Sequence, residues 1–242
     1  MGQERLDSAN PCLIAGETRR LEAFVKIVAV LISEFFMKHL KTRLLLAGAL
    51  IFLVSPALAQ HLELKSGSLG FLKGEPALNV EYIYAGLTVG KLTEAAYIEK
   101  KVGEYNHKEP GKGDKWLQAW NSDRAARFEP KFEELINKQF ASRKVGLRVG
   151  KNPEAKYTLV LKTTNLEPGW NAAVMRAPAM VSTQAELFET KNRTQPLAVV
   201  IIRGAPGQDA MGYDFDTGYR LQEGYAKTGK ELGVFLYKKG LK

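Results

Sequence analysis

Residues 156–164, KYTLVLKTT, decide the fold class of this chain. Their side chains alternate, so that Tyr157, Leu159 and Leu161 share one side of the stretch, and a period of two is typical of a β-strand. Strand character recurs in KVGLRVG (144–150), MVSTQAELFET (180–190) and LAVVIIRG (197–204). The last of these is apolar throughout, which is typical of a central strand covered on both faces. Because short or medium connections join the four, we predict an antiparallel meander.

Residues 216–242, DTGYRLQEGYAKTGKELGVFLYKKGLK, predict a long C-terminal helix lying on the sheet. Asp216 or Thr217 can cap its N-terminus. Lys238 and Lys239 suit the last turn, where cations complement the helix dipole, and Gly240 suits the C-terminal cap. The inward stripe consists of Leu221, Tyr225, Leu232 and Phe235.

Helical patterns also fill the region before the first of these strands. Thr93 can cap a helix in LTEAAYIEKKVGEYN (92–106), and KEPGKGDK (108–115) is a loop by composition. We expect Asp114 to cap the next helix and Pro130 to kink it or to begin another. Trp116 and Trp120 could form a platform for a sugar or a base, but their helical spacing beside apolar residues favours the core.

These patterns together predict an α+β fold. We expect an antiparallel sheet of about four to five strands, helices packed on one face, and a long C-terminal helix. The sequence contains no internal repeat, so we predict a single domain over residues 60–242.

Residues 37–60, MKHLKTRLLLAGALIFLVSPALAQ, have the order of a secretory signal peptide. A basic start precedes the apolar run 44–54, and Ala57 and Ala59 are the small residues before cleavage at Gln60. The alternative is a transmembrane helix, for which the run is too short. We therefore predict a signal peptide at 37–59, a periplasmic or outer-envelope location, and no stable membrane span after cleavage.

Residues 1–36 precede this signal, which works from a free N-terminus. We predict that translation begins at Met37 and that residues 1–36 are a mis-called upstream start. The alternatives are an unusually long signal region or a non-globular extension.

Charge and cysteine content limit the classes of function. The net charge is +9, which favours an anionic envelope partner, although scattered charge also serves solubility alone. A nucleic-acid partner is disfavoured by the secretion signal. Cys12 is the single cysteine and lies before the signal, so a disulfide framework or a thiolate nucleophile is excluded after it.

Catalytic motifs are absent from the sequence, which has no G-x-S-x-G, P-loop or G-x-G-x-x-G pattern. The loop 204–218, GAPGQDAMGYDFDTG, holds Asp209, Asp214 and Asp216, and part of it resembles a fragment of a calcium loop. The remaining ligand positions of that motif are missing, which favours turn and cap roles. We therefore predict no catalytic residues and no cofactor, with calcium as the alternative.

The loop 165–180, NLEPGWNAAVMRAPAM, is a candidate interaction loop. It carries Trp170, Met175 and Arg176, and aromatic and arginine side chains dominate interaction hot spots. The alternative is that its apolar residues fold back over the end of the sheet.

The chain resembles a family of uncharacterised exported proteins from Gram-negative bacteria of the Bacteroides group. The segments that carry the resemblance are KEPGKGDKWLQAWNSDRAARFEPKFEELIN, AKYTLVLKTTNLEPGWN and GYDFDTGYRLQEGYAKTGKELG. The resemblance implies a location in the cell envelope and an α+β fold, and it assigns no activity. We expect a non-catalytic binding or assembly module of the periplasm. The alternative is a small envelope hydrolase using carboxylates of the 204–218 loop.

Overall fold

The computed structural model describes residues 61–172, 175–207 and 216–242. Its strands are β1 (His61–Gly67), β2 (Ala77–Ile83), β3 (Thr88–Val89), β4 (Leu92–Thr93), β5 (Arg148–Gly150), β6 (Tyr157–Glu167), β7 (Trp170–Asn171), β8 (Arg176–Ala177), β9 (Ala179–Glu189) and β10 (Ala198–Gly207). Its helices are α1 (Glu94–Lys108), α2 (Lys112–Asp123), α3 (Glu129–Ser142) and α4 (Thr217–Leu236). The predicted α+β class is confirmed. The predicted boundaries at residues 36 and 59 lie outside the described residues.

Eight of these strands form one mixed sheet, so the prediction of an antiparallel sheet of four to five strands is wrong. The order is β1-β10-β9-β6-β2-β5, with β3 also paired to β6 and β4 paired to β3. β1, β10, β9 and β6 are successively antiparallel, whereas β2 is parallel to both β6 and β5. Parallel pairing requires a long crossover, and the helical segment between β2 and β5 provides it.

The two faces of the sheet differ in polarity. One face contributes Leu78, Val80, Leu159 and Leu161 to the hydrophobic core, which also contains Phe132 of α3. The helices pack on this face, as the T-shaped contact between Tyr82 and Phe132 illustrates. Within β10, Val199 and Ile202 are buried but Ile201 is only half-buried. The strand is therefore not fully buried on both faces, although the sequence predicted that it would be.

The long C-terminal helix is confirmed as α4, of 20 residues. Asp216 caps it, as predicted, by accepting a hydrogen bond from the Tyr219 backbone N–H at 2.6 Å. Tyr225 is fully buried, stacks on Phe128 at 4.8 Å between ring centroids, and shares a hydrogen bond of 2.6 Å with Thr163 of β6. This contact fixes α4 against the centre of the sheet.

The chain continues beyond α4 in a π-helical turn, Tyr237–Leu241, with Lys238 and Lys239 in its last turn as predicted. Gly240 lies inside that turn rather than after its end, so its predicted role as C-terminal cap is wrong.

The other helices follow the sequence prediction in part. Thr93 caps α1, accepting a hydrogen bond from the Ala96 N–H at 3.3 Å, as predicted. Asp114 is not the cap of α2, because that helix begins at Lys112 after Gly111. Pro130 lies in the first turn of α3, directly after the π-helical turn (Arg124–Phe128) that joins α2 to α3, which is where a kink or a new helix was predicted.

A hydrogen-bonded network lies on the polar face of the sheet. Arg193 donates to both carboxylate oxygens of Glu81, at 2.8 and 2.9 Å. This pair is the main reason why the pKa of Glu81 lies below its ordinary value. Lys162 and Gln184 both donate to one carboxylate oxygen of Glu186, at 2.9 and 2.6 Å.

The Glu81–Arg193 pair predicts a pH-dependent contribution to stability. The Glu81 carboxyl has a lower pKa in the folded protein than in the unfolded chain, so its ionised form stabilises the fold at pH values above the unfolded pKa. This stabilisation is lost as the pH falls through the folded pKa. Because the Glu81 side chain is 46% exposed, Glu81→Gln should lower the free energy of unfolding at neutral pH by at most about 1 kcal/mol. The difference should close between about pH 5 and pH 3. Urea titrations across this range test it, and an equal difference at both ends would contradict it.

Within the described residues, no helix is both long enough and apolar enough to cross a membrane.

Candidate binding groove

A helix hairpin supplies the aromatic wall of the candidate site. Tyr97, Lys101 and Tyr105 follow at four-residue intervals along α1, so their side chains share one face of the helix. The Lys101 Nζ atom lies 6.0 Å from the centroid of each tyrosine ring, within the range of cation–π attraction. Trp116 of α2 lies 6.0 Å from Tyr97 and 5.9 Å from Tyr105, measured between ring centroids. The three rings and the ammonium group form one surface.

Polar contacts beneath this wall fix its orientation. Trp120 is buried and stacks on Trp116 at 5.5 Å, and its Nε1–H donates to Glu94 at 2.8 Å. Arg124 pairs with the same Glu94 carboxylate and lies over the Tyr84 ring at 4.6 Å. The predicted core position is therefore confirmed for Trp120, whereas Trp116 is only half-buried and faces the groove.

The turn between β3 and β4 forms a second wall and carries Lys91. The Gly90 N–H donates to the Leu166 carbonyl oxygen at 2.8 Å. Asn165 donates from Nδ2 to the Thr88 hydroxyl at 2.8 Å and to the Gly90 carbonyl at 3.1 Å. Lys91 is therefore presented on a turn that is held firmly against β6.

Trp170 follows the end of β6, on the hairpin formed by β7 and β8. It lies opposite Ala177 in the strand register, and its side chain is 48% exposed. Arg220 of α4, only 4% exposed, donates from Nε to the Pro168 carbonyl at 3.1 Å and from Nη2 to the Gly169 carbonyl at 3.4 Å. The turn that precedes Trp170 is therefore tied to the first turn of α4.

These elements surround a cavity of about 480 Å³, which we call the aromatic groove. Ligand pockets have volumes of roughly 300–1,000 Å³, so its size is that of a ligand site. The rings along it are Tyr97, Tyr105, Trp116 and Trp170. The charged residues along it are Lys91, Lys100, Lys101, Glu167 and Arg220.

Cations outnumber carboxylates around the aromatic groove. Lys101 donates to Glu104 at 2.8 Å, and this hydrogen bond is the main reason why the pKa of Glu104 is lowered. Lys100 lies 3.9 Å from the same carboxylate. Burial raises the pKa of Tyr97 to about 12, so its hydroxyl remains a hydrogen-bond donor at neutral pH. The groove thus combines ring faces, neutral hydroxyls and ammonium groups.

A second depression, of about 500 Å³, lies beside Tyr237, Arg143 and Lys242. Tyr237 is the only aromatic residue that lines it among the described residues, and the Arg143 guanidinium lies 5.5 Å from that ring's centroid. In the described part of the chain, this depression offers a single ring, whereas four rings line the aromatic groove. We therefore place the candidate site in the aromatic groove.

Of the predicted interaction loop, Trp170 lines the aromatic groove. Met175 is 67% exposed, and Arg176 is exposed opposite Asn171 in the β7–β8 register. Their role in interaction stays a prediction.

Of the predicted aspartates, Asp209 and Asp214 lie outside the described residues, as do the cleavage residues Ala57, Ala59 and Gln60. Asp216 caps α4 and also pairs with Arg127 at 2.9 Å. Across residues 61–172, 175–207 and 216–242, no three His, Cys, Asp or Glu side chains are grouped so that they could hold a metal ion.

Sequence reasoning missed Tyr97, Lys101 and Tyr105 as candidates for a site. Their signal is a lysine placed four residues from each of two tyrosines on one helix face. α1 has no fully buried residue, and all three side chains are half-buried, with Tyr97 packed against the hydrophobic core. The spacing places them on one helix face, and in the structure this face borders the cavity.

Comparison with models of protein families and with curated proteins finds no match to this chain. Among solved structures, it is similar to the PelC dodecamer from Paraburkholderia phytofirmans, with 12% identity and a TM-score of 0.31 over 72% of this chain and 98% of that chain. A PelC dodecamer with a single substitution, from the same organism, matches with 12% identity and a TM-score of 0.30 over the same shares. Similarity at this level assigns no function to the chain.

Proposed function

We propose that this protein is an exported, non-catalytic binding module of the cell envelope and that the aromatic groove is its ligand site. The observation that supports this most directly is the wall made by Tyr97, Lys101, Tyr105 and Trp116 beside an open cavity of about 480 Å³. Ligand sites typically combine aromatic lining with a few well-placed polar groups.

A saccharide is the ligand class that this lining favours. The C–H faces of a sugar ring are apolar and pack against aromatic rings, while its hydroxyls require hydrogen-bond partners. The Tyr97 hydroxyl and the lysine ammonium groups can donate, and the Glu167 carboxylate can accept. The exposed ring of Trp170 extends the apolar part of the lining.

The envelope location rests on the signal-peptide pattern at 37–59 and on the resemblance to exported proteins of the Bacteroides group. We expect the native protein to be recovered from the periplasmic or outer-envelope fraction with Gln60 or His61 as its first residue. N-terminal sequencing and intact mass measure this. A chain that keeps residues 37–59 would contradict cleavage, and one that keeps residues 1–36 would contradict the start at Met37.

The alternative is a small envelope hydrolase that uses carboxylates of the 204–218 loop. One of them, Asp216, accepts hydrogen bonds from the Tyr219 N–H at 2.6 Å and from Arg127 at 2.9 Å. These contacts favour a structural role for Asp216. The binding module is therefore the better supported of the two functions.

Binding to an array of envelope saccharides, followed by calorimetry with the captured oligosaccharide, tests the proposal. Trp170→Ala should raise Kd at least about tenfold, equal to a loss of 1.4 kcal/mol. Tyr237→Ala, which removes a ring outside the aromatic groove, is the matched control and should leave Kd unchanged. Equal affinity of the parent and Trp170→Ala would contradict the proposal. Release of new reducing ends from the oligosaccharide would instead favour the hydrolase.

A further inference from the structure

The cations of the aromatic groove are available to a ligand to different degrees. Lys91 and Lys100 are exposed, whereas Lys101 is half-buried and already pairs with Glu104 at 2.8 Å. Among the described residues, no carboxylate lies within ion-pair distance of Lys91, while the Lys100–Glu104 separation is a long 3.9 Å. Glu167 is the one carboxylate that lines the groove within the described part of the chain. A ligand in this groove therefore meets an excess of positive charge.

The positive groups are interleaved with the rings rather than set apart from them. Lys101 lies between Tyr97 and Tyr105, at 6.0 Å from each ring centroid. Lys91 and Trp170 line the same cavity from the side of the sheet. A ligand that fits this pattern must carry an apolar face and an anionic group on the same unit.

A uronic acid has this combination, because one sugar ring bears both a C–H face and a carboxylate. On the basis of the proposed function, we infer that the ligand of the aromatic groove is an acidic saccharide, whose carboxylates bind Lys91, Lys100 and Lys101 while one of its rings packs on Trp170. Charge-assisted hydrogen bonds from ammonium to carboxylate are stronger than those between neutral groups, so the acidic form is selected over a neutral one.

A nucleic acid fits the rings less well. Single-stranded nucleic acids bind by stacking successive bases on free ring faces. Trp116 instead packs against both Tyr97 and Tyr105, with centroids 6.0 and 5.9 Å apart and planes inclined at 64° and 37°. Trp170, at 48% exposure, offers the most accessible ring of the groove. One accessible face suits a sugar better than a run of bases.

The test compares an oligogalacturonate with the methyl ester of the same oligomer, which has the same rings without the charges. Calorimetry with the purified native protein should give a Kd about tenfold lower for the acid at low ionic strength. The preference should shrink as the salt concentration rises from about 0.01 M to 0.15 M, because exposed charges are then screened.

Matched variants separate the charges from the rings. A triple variant, Lys91→Met with Lys100→Met and Lys101→Met, should abolish the preference for the acid, so that the acid and the ester bind with the same Kd. Trp170→Ala should weaken both oligomers. Lys230→Met, which removes an exposed lysine of α4 outside the groove, should change neither.

The outcomes distinguish the two proposals. Equal affinity for acid and ester in the parent, or a preference that survives in the triple lysine variant, would overturn the acidic ligand while leaving a saccharide site. Binding of neither oligomer would overturn the saccharide site and the acidic ligand together. Tighter binding of an oligothymidylate than of the oligogalacturonate would overturn both in favour of a nucleic acid.

Discussion

Replacing Gly229 by alanine is expected to lower the free energy of unfolding by about 2–3 kcal/mol, although alanine is the better helix former. Gly229 lies in the middle of α4, where this helix crosses α3. A Cβ atom at this position would lie 2.4 Å from the backbone carbonyl oxygen of Phe132. Since that atom belongs to a helix backbone, it cannot move aside as a flexible side chain would.

α3 and α4 cannot move apart at this crossing without loss of packing in the hydrophobic core. Phe132 and Ile136, which α3 contributes to the core, are both fully buried. Moving α3 away from α4 would loosen their packing, and close-packed interiors tolerate such shifts poorly. At Gly233, one turn further along α4, an added Cβ would meet the Gln139 Cβ at 3.0 Å. Gly233→Ala should therefore be less destabilising than Gly229→Ala.

Gly103→Ala is the matched control, because Gly103 also lies inside a helix. An added Cβ there has nothing within 4 Å, and the residue is exposed. With no contact to oppose it, the change should stabilise the protein by about 0.5–1 kcal/mol. Urea titrations of the variants measure both effects. The close crossing would be refuted if Gly229→Ala were as stable as the parent.

The Gly229 crossing also illustrates which parts of the fold are readable from sequence. The Asp216 cap and the presence of a strand at β6 follow from local chemistry, so both could be predicted. The parallel pairing of β2 with β6 could not, because it depends on how the chain crosses over between residues far apart in sequence. Likewise, aspartate is a residue type that caps helices, but α2 begins at Lys112, two residues before Asp114, because Gly111 adopts a left-handed conformation.

The aromatic groove was predictable only in fragments. Trp170 stood out as an aromatic residue in a broken loop, and Trp116 as a platform or core residue. Trp170 and Trp116 line one cavity because α1, the β3–β4 turn and the start of α4 lie next to one another. No local sequence pattern predicts this arrangement. Two-residue strands such as β3 and β7 are also too short to give a periodic signal.

Arg220→Met is expected to produce the second large effect, on stability and on binding together. The buried guanidinium donates to the carbonyl oxygens of Pro168 and Gly169 and to the Thr217 hydroxyl, the last at 3.0 Å. A methionine fills similar volume but cannot donate to these acceptors, which belong to half-buried residues. Because hydrogen bonds to charged groups contribute about 1.5–3 kcal/mol each, we expect a loss of about 3 kcal/mol in the free energy of unfolding.

The effect on the aromatic groove follows from the position of Gly169. This residue has φ +60°, and an added Cβ would lie 2.4 Å from the Ala177 carbonyl oxygen, so the turn is already tightly constrained on one side. Arg220 holds its other side, and Trp170 is the next residue in the chain. Without Arg220 the indole loses its fixed position, and saccharide affinity should fall about tenfold even where the variant is still folded.

Two further variants test whether the effects depend on the guanidinium group at position 220 in particular. Arg220→Lys keeps the charge but not the planar fork of donors, so it should recover only part of the stability. Arg193→Met removes an arginine that makes two short bonds to Glu81 on the polar face of the sheet, and it should leave saccharide binding unchanged. Denaturation and calorimetry on the same preparations separate the two effects. If Arg220→Met binds saccharide as the parent does while losing stability, Arg220 supports the fold but does not position Trp170.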